Sequence, residues 1–300
     1  MTFACNRAGG RAGFEINAYR ADPLMRNVVP QEYMSDVIWV LEPDIFPETH
    51  VPIRNAIRDR GHRLVEWSDA WWSDGVPAQV PSTSIVFHGS LGNAARIASD
   101  LHWTPGSFCP VESFRCSSWY ESARQWLVHK DWHICTANEL VARAPIIAKQ
   151  LGATDRIFVR PDSPLKPFSG RVVEIADLTL AKLDHGFYYD DDTIPVVVAP
   201  IQIIGKEWRF VIANRTVITG SAYDPKKRKL LLAQLDSAAA NFASRVAASI
   251  SEPETVYILD VCECNDQLRL LELNPFGGAD LYACDATAII DSVSVIAASA

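Results

Sequence analysis

The chain lacks what a disulfide framework, a membrane span or a polyanion-binding surface would require. Its seven cysteines are odd in number and scattered, with no C-x-x-C spacing, so reduced thiols in a reducing compartment are expected. No apolar run approaches the roughly 20 residues that cross a bilayer, and no membrane partner is expected. Basic residues are in deficit, 28 Lys and Arg against 36 Asp and Glu, and the formal net charge of -8 argues against a nucleic-acid binder. Residues 1–33 have neither a sustained period nor the apolar core of a signal peptide; one plain explanation is an N-terminal extension, either disordered or laid over the surface, with Met34 as the natural start. No serine or cysteine sits in a recognisable base-paired arrangement, so a protein nucleophile is not expected. With 48% hydrophobic residues the chain can still bury one large core or two to three smaller lobes, as a cytoplasmic enzyme would.

What the sequence does carry is acid where a buried strand should have none. The stretch YILDVCECNDQLRLLELNPFGG, 257–278, holds two apolar β-prone runs around Asn265-Asp266 and reads as a β-hairpin. Side chains alternate faces along a strand, so Asp260, Cys262 and Cys264 share one face, and Glu272 and Asn274 share a face of the second strand. A three-residue loop would pair Cys264 with Leu268 and set Asp260 opposite Glu272. A two-residue loop would pair Asp260 with Leu271 and put Glu272 on the other face. Two carboxylates and an amide oxygen on one face call for a cation between them, and hard oxygen donors suit Mg²⁺ shared with nucleotide phosphates. The plainer alternative, solvated acids on an exposed hairpin, fits poorly with the apolar density of both runs. Cys262 and Cys264 are expected as small buried apolar residues rather than soft-metal ligands.

Upstream, residues 37–41, 64–67 and 84–88 are predicted strands. Helices are predicted over 50–60, capped by Thr49 and closed by Gly61, and over 93–99. This alternation implies a small, mostly parallel α/β lobe ending near Pro110. Its HGSLG turn could offer a helix N-terminus to a phosphate or carboxylate, or be an ordinary strand-to-helix turn. Helices follow over 118–129 and, from a Thr136/Glu139 capping box, to about Leu151, kinked or split at Pro145. Residues 157–160 form a strand running into PDSPLKPFSG, and 172–175 resume it. Arg160 at a strand end and Lys166 on a small-residue loop are what covering a triphosphate requires, although the segment taken alone reads better as a solvent-exposed hairpin tip with incidental charge. Residues 194–204 read as one long apolar strand with Pro200 inside it, where a hinge can meet an adenine edge. The next two strands, 207–213 and 216–221, turn at Asn214-Arg215, with Glu207, Arg209 and Val211 on one face and Trp208 and Phe210 on the other. Asp236 is expected to cap an Ala-rich helix to about Ile250, and 279–298 to close the chain as a helix carrying Cys284.

This order of parts, ending in Asp on one strand and E-x-N on the next, resembles the ATP-grasp superfamily. The phrases EWRFVI…VITGSAY and LLELNPFGGADLY look like its clade named for two arginines and a lysine. The resemblance covers about residues 118–300. It implies an ATP-grasp fold, two α+β subdomains (118–199 and 200–300) clasping ATP behind a Rossmann-like α/β lobe (34–117). It also implies Mg²⁺ ligation by Asp260, Glu272 and Asn274, and phosphate contacts from Arg160 and Lys166. Arg209 would touch phosphate or an acyl intermediate, with Glu207 orienting it or touching the nucleotide. Adenine would lie against Ala199, Pro200 and Ile201, with Gln202 the candidate for the ribose. Two departures stand out: the usual strand lysine is Arg160, and the hinge lacks the acid that commonly holds the ribose.

The activity so implied is that of an ATP-dependent carboxylate-amine ligase working through an acylphosphate, on small-molecule or peptide substrates such as amino acids. A phosphotransferase of the same fold and a non-catalytic nucleotide-binding module are the alternatives; Lys166, Arg209, Asp260, Glu272 and Asn274 together weigh against the module. Dimers are common among such ligases, so a homodimer is admitted. Arg96, Arg115, Arg124 and His88 are available to hold an anionic substrate, although such residues are more often surface salt-bridge partners.

Overall fold

Strands buried on both faces are written as unbroken apolar runs, and the first sheet begins with one. In the computed structural model, which describes residues 37–183, 191–224, 229–231 and 237–300, Ile38–Leu41 (β1), Arg63–Glu66 (β2), Thr83–His88 (β3) and Thr104–Gly106 (β4) form an all-parallel sheet. Its order is β2-β1-β3-β4. Helix α1 (Pro47–Asp59) starts three residues earlier than predicted, because Pro47 at the first helical position loses no hydrogen bond. Thr49 therefore lies inside the first turn and is not the cap. A short helix, Trp71–Asp74 (α2), precedes β3, and Ser90 caps Leu91–Asp100 (α3). The Ser90 N–H donates to Glu42 Oε2 at 2.7 Å, so the carboxylate at the HGSLG turn is one of the chain's own.

The second sheet is antiparallel, in the order β5-β8-β6-β7: His133–Thr136 (β5), Arg156–Pro161 (β6), Arg171–Glu174 (β7) and Pro195–Ala199 (β8). Helix α4 (Cys116–Ala123) is shorter than expected. Beyond it a turn over 124–126 leads to a single parallel bridge between Leu127 and Leu270 of the third sheet, with Val128 N–H donating to the Leu270 carbonyl at 2.9 Å. Helix α5 (Ala137–Gln150) has the predicted capping box but is not split at Pro145. That residue faces solvent while Leu140, Ala144, Ile147 and Ala148 pack on β6 and β8, so burial outweighs one lost hydrogen bond. The predicted strand over 194–204 is broken: β8 ends at Ala199, and Pro200, which cannot donate, begins the crossing to the next sheet.

The third sheet, order β11-β10-β9-β12-β13, is wholly antiparallel: Ile204–Ala213 (β9), Thr216–Asp224 (β10), Lys229–Leu231 (β11), Val256–Cys264 (β12) and Gln267–Pro275 (β13). One face, with Trp208, Phe210, Ile212, Tyr257 and Leu259, packs against Ser237–Ser249 (α6) through Phe242 and Val246. On the other face, Val211, Ala213, Ile258 and Phe276 pack with α1 and the last helix, Ala286–Ser299 (α7). That helix begins seven residues later than expected, because Asp285 caps it through the N–H groups of Thr287 and Ala288. Residues 279–285 are thus a loop, and Cys284 belongs to it. The N-terminal extension and the Asp236 cap lie outside the described residues. Among the described residues no helix is long and apolar enough to cross a membrane.

Candidate active site

The acid hairpin reaches its register by a route that neither predicted loop describes. Asn265 and Asp266 are both left-handed (φ 51° and 58°), the two-residue turn that matches strand twist, and Cys264 pairs with Gln267. Such a turn alone would set Asp260 opposite Leu271. A bulge between Leu270 and Glu272 absorbs Leu271, so Asp260 pairs with Glu272 after all. Leu271 then joins Cys262, Cys264 and Val128 in a small apolar cluster on the same face. Both cysteines are buried, as expected for packing residues.

Strand β9 completes that face by placing Arg209 directly across from Asp260. Arg209 donates from Nε (2.9 Å) and Nη2 (2.7 Å) to the two Asp260 oxygens, a bidentate pair buried on both sides. Its Nη1 donates to the Asp280 carbonyl at 2.7 Å, and its guanidinium lies 4.5 Å from the centre of the Tyr282 ring. Burial alone would lower the arginine's pKa, but Asp260 reverses this and holds it well above its ordinary value. Asn274 Nδ2 donates to Asp260 at 3.0 Å. Tyr282 also stacks on Tyr223 of β10, with ring centres 4.7 Å apart and planes within 4°.

Glu272 is met from the facing sheet. Arg160, near the end of β6, and Lys166, in a left-handed position of the loop beyond it (φ 51°), both bind its carboxylate, the lysine at 3.1 Å. Burial would raise the Glu272 carboxyl, yet the two cations outweigh it and hold the group far below the usual carboxylate range. Phe158, Arg160, Lys166, Gly170, Leu271 and Glu272 line a cleft of about 260 Å³ between the second and third sheets. A second cavity, about 390 Å³, opens at the crossing between sheets and is bordered by Val128, Pro200, Gln202, Cys264 and Arg269. Ala199 is buried in β8 and Ile201 is exposed, so of the predicted hinge contacts only Pro200 and Gln202 line that cavity.

Glu207 shares the face of Arg209 and feels its charge, while the hydrogen bonds and ring contact that hold the guanidinium come from Asp260, Asp280 and Tyr282. Burial first, then the nearby charge of Asp260, raises the Glu207 carboxyl to about 7. The four residues considered for an anionic substrate are engaged elsewhere. Arg96, Arg115 and Arg124 pair with Asp100, Glu112 and Glu121 of their own segments, and His88 is fully buried. A helix read through 279–285 hides Asp280 and Tyr282, and Tyr223 carries no signal in the sequence beyond its place at the end of β10. Asp285 two and three residues before two well-placed amides is the cap signal that would have set the helix start correctly.

Among the described residues no three His, Cys, Asp or Glu side chains converge as a ready metal cage. The donor chemistry nevertheless fits a hard divalent cation shared with phosphates: two carboxylates opposite one another, and an asparagine that keeps its amide oxygen as an acceptor.

Three sheets in this order, with a cation-bearing loop closing over an acidic sheet face, define an ATP-grasp architecture. A family model described as an ATP-grasp domain, family 2 of the clade named for two arginines and a lysine, matches residues 141–292, just over half of the chain. The chain belongs to this family. Among solved structures it is similar to the RimK domain protein ATP-grasp from Sphaerobacter thermophilus DSM 20745 (16% identity, 86% of this chain and 99% of that one, TM-score 0.59). It is also similar to D-alanine–D-alanine ligase from Bacillus anthracis complexed with ATP (14%, 88% and 99%, 0.55). A third is the ATP-grasp ligase PsnB complexed with precursor peptide PsnA2 and AMPPNP (13%, 88% and 98%, 0.54). At these identities the likeness is one of fold. A sequence search of curated proteins finds no match.

Proposed function

We propose that this protein is an ATP-dependent carboxylate-amine ligase acting on an amino acid or peptide, with ATP held between lobes 118–199 and 200–300 and lobe 34–117 on the substrate side. The observation that carries the reading is that Arg160 of one sheet and Lys166 of the loop beyond it meet Glu272 of the other sheet across a cleft, with the Asp260–Arg209 pair beside Glu272 on the same sheet face. Asp260, Glu272 and Asn274 would hold Mg²⁺, which when bound neutralises charge on the transferred phosphoryl group. Arg160 and Lys166 would leave Glu272 for phosphate oxygens, and Arg209 would face the reacting centre. Pro200 and Gln202 would border the base and ribose.

The substrate carboxylate oxygen attacks the γ-phosphorus of ATP as the bond to ADP breaks, giving an acylphosphate. The amine nitrogen then attacks the acyl carbon, phosphate leaves, and the nitrogen gives up a proton. These residues act by position and charge rather than by covalent attack. The ligases among the structural neighbours, one bound to ATP and one to a peptide, support this class of reaction.

The test is ADP release with Mg-ATP against pooled amino acids, small carboxylates and short peptides, with Glu272→Gln and Lys166→Ala alongside and mass spectrometry on active wells. A condensed product formed only by the wild type supports the ligase. A phosphorylated acceptor without condensation replaces it with a phosphotransferase. Tight ATP binding with no ADP released from any pool replaces it with a binding module.

A further inference from the structure

Arg209 is held at its outer end by residues of the loop 279–282, and that loop is anchored to the parallel lobe. The Asp280 carboxylate accepts from the Thr49 hydroxyl of α1 at 2.5 Å and from the Tyr282 N–H at 3.0 Å. His88, the last residue of β3, lies with Nε2 3.0 Å from the Ala279 carbonyl, so this nitrogen is the donor. Its Nδ1 is then an acceptor, met by His50 Nε2 of α1 at 2.9 Å. The approach is close: a Cβ at Gly277 would collide with the Ser107 carbonyl, one at Gly278 would lie 2.7 Å from the Leu91 Cα, and Gly89 N–H donates to the Gly277 carbonyl at 2.8 Å. Thr49, His50 and His88 are all buried, so these contacts are not surface decoration.

We propose that Thr49 and His88 are positioning residues for Arg209: by fixing the Ala279–Tyr282 loop, the parallel lobe sets the Asp280 carbonyl and Tyr282 ring that aim the guanidinium. The carboxyl edge of a parallel sheet is where α/β folds bind ligands, at the point where the connections leave neighbouring strands to different packing faces, as α1 after β1 and α3 after β3 do here. Glu42, the residue after β1, and Gly89 and Ser90, the two after His88, stand at that edge. A substrate bound there would be sensed at Arg209 through this loop. The inference rests on the reading of Arg209 as a residue that faces the reacting groups, but its primary test does not depend on turnover.

The test is side-chain nitrogen NMR of Arg209 in the ligand-free protein, assigned with Arg209→Lys. The wild-type Nε–H is expected to be downfield and slow to exchange with solvent, because it is locked on Asp260. In Thr49→Val, which keeps the shape and removes the hydroxyl, exchange is expected to quicken on the order of tenfold, the equivalent of one lost hydrogen bond of about 1.4 kcal/mol. Thr49→Ser is expected to restore it. Tyr282→Leu, which spares the Thr49–Asp280 bond, is expected to act in the same direction and decides the matter if Thr49→Val unfolds. Folded Thr49→Val and Tyr282→Leu proteins with unchanged Arg209 Nε–H signals would overturn the proposal and leave Thr49 a packing residue. AMPPNP affinity, measured on the same samples, separates this result from the ligase reading: loss of the NMR effect with binding intact rejects the positioning role alone.

Discussion

The two partly buried arginines of the site are held in opposite ways. Arg209 and its acid lie on neighbouring strands of one sheet, and two further groups of the 279–282 loop fix the guanidinium. Arg160 and its acid lie on different sheets that are joined across Pro200, and Lys166 shares the same carboxylate. The first pair can persist through any movement about the crossing, whereas the second must part if the sheets separate. On the proposed function one arginine is therefore pre-aimed, and the other would exchange partners when a ligand enters the cleft.

The sharpest way to break this comparison is Arg209→Met. It leaves Asp260 buried without its bidentate partner, so destabilisation of about 3–5 kcal/mol is expected in urea melts, alongside loss of ADP release. Arg160→Met should cost less, about 1–3 kcal/mol, because Lys166 still faces Glu272. Finding the two reversed would place the rigid element on the wrong side of the cleft.

Acid pH separates the regions further. His88 is pushed down to about 3 and His50 to about 4, chiefly by burial, with their mutual charge or Arg54 adding to it. Because each folded pKa lies below the unfolded 6.5, their contribution is whole above pH 6.5 and is lost as pH falls. For His88 alone the loss by pH 4 is on the order of 3 kcal/mol. His88→Gln should flatten that part of the stability curve. Glu207 runs the other way: its folded pKa, about 7, exceeds the unfolded value, so stability is lost as pH rises from 4.5 through 7. Glu207→Gln should remove that slope in denaturant titrations. The smallest stability effect is expected from Lys166→Ala, within about 1 kcal/mol for a half-exposed pair, with nucleotide affinity falling much more.

Strand and acid patterns were legible because they are local. Alternation placed Glu207, Arg209 and Val211 on one face and Trp208 and Phe210 on the other, and a run of apolar residues gave β1 and β3. The pairing of Asp260 with Glu272 was only half legible, since the bulge at Leu271 answers to cross-sheet packing against Val128 and not to the turn sequence. The break at Pro200 is masked by the apolar run that continues on both sides of it. Asp280 and Tyr282 were invisible because their roles depend on a loop docking against a helix 231 residues earlier, through two glycines whose missing Cβ atoms matter only once the lobes meet.

The most direct measurement is calorimetric titration with AMPPNP, with and without Mg²⁺, of the wild type, Lys166→Ala and Glu272→Gln. Two acids tied up by three cations in the free site predict that nucleotide and Mg²⁺ bind weakly alone and strengthen each other reciprocally, by about 1–3 kcal/mol of coupling. Glu272→Gln should abolish the coupling and Lys166→Ala should weaken nucleotide binding while preserving it. Tight AMPPNP binding that is indifferent to Mg²⁺ and to both substitutions would contradict the placement of ATP between these two sheets.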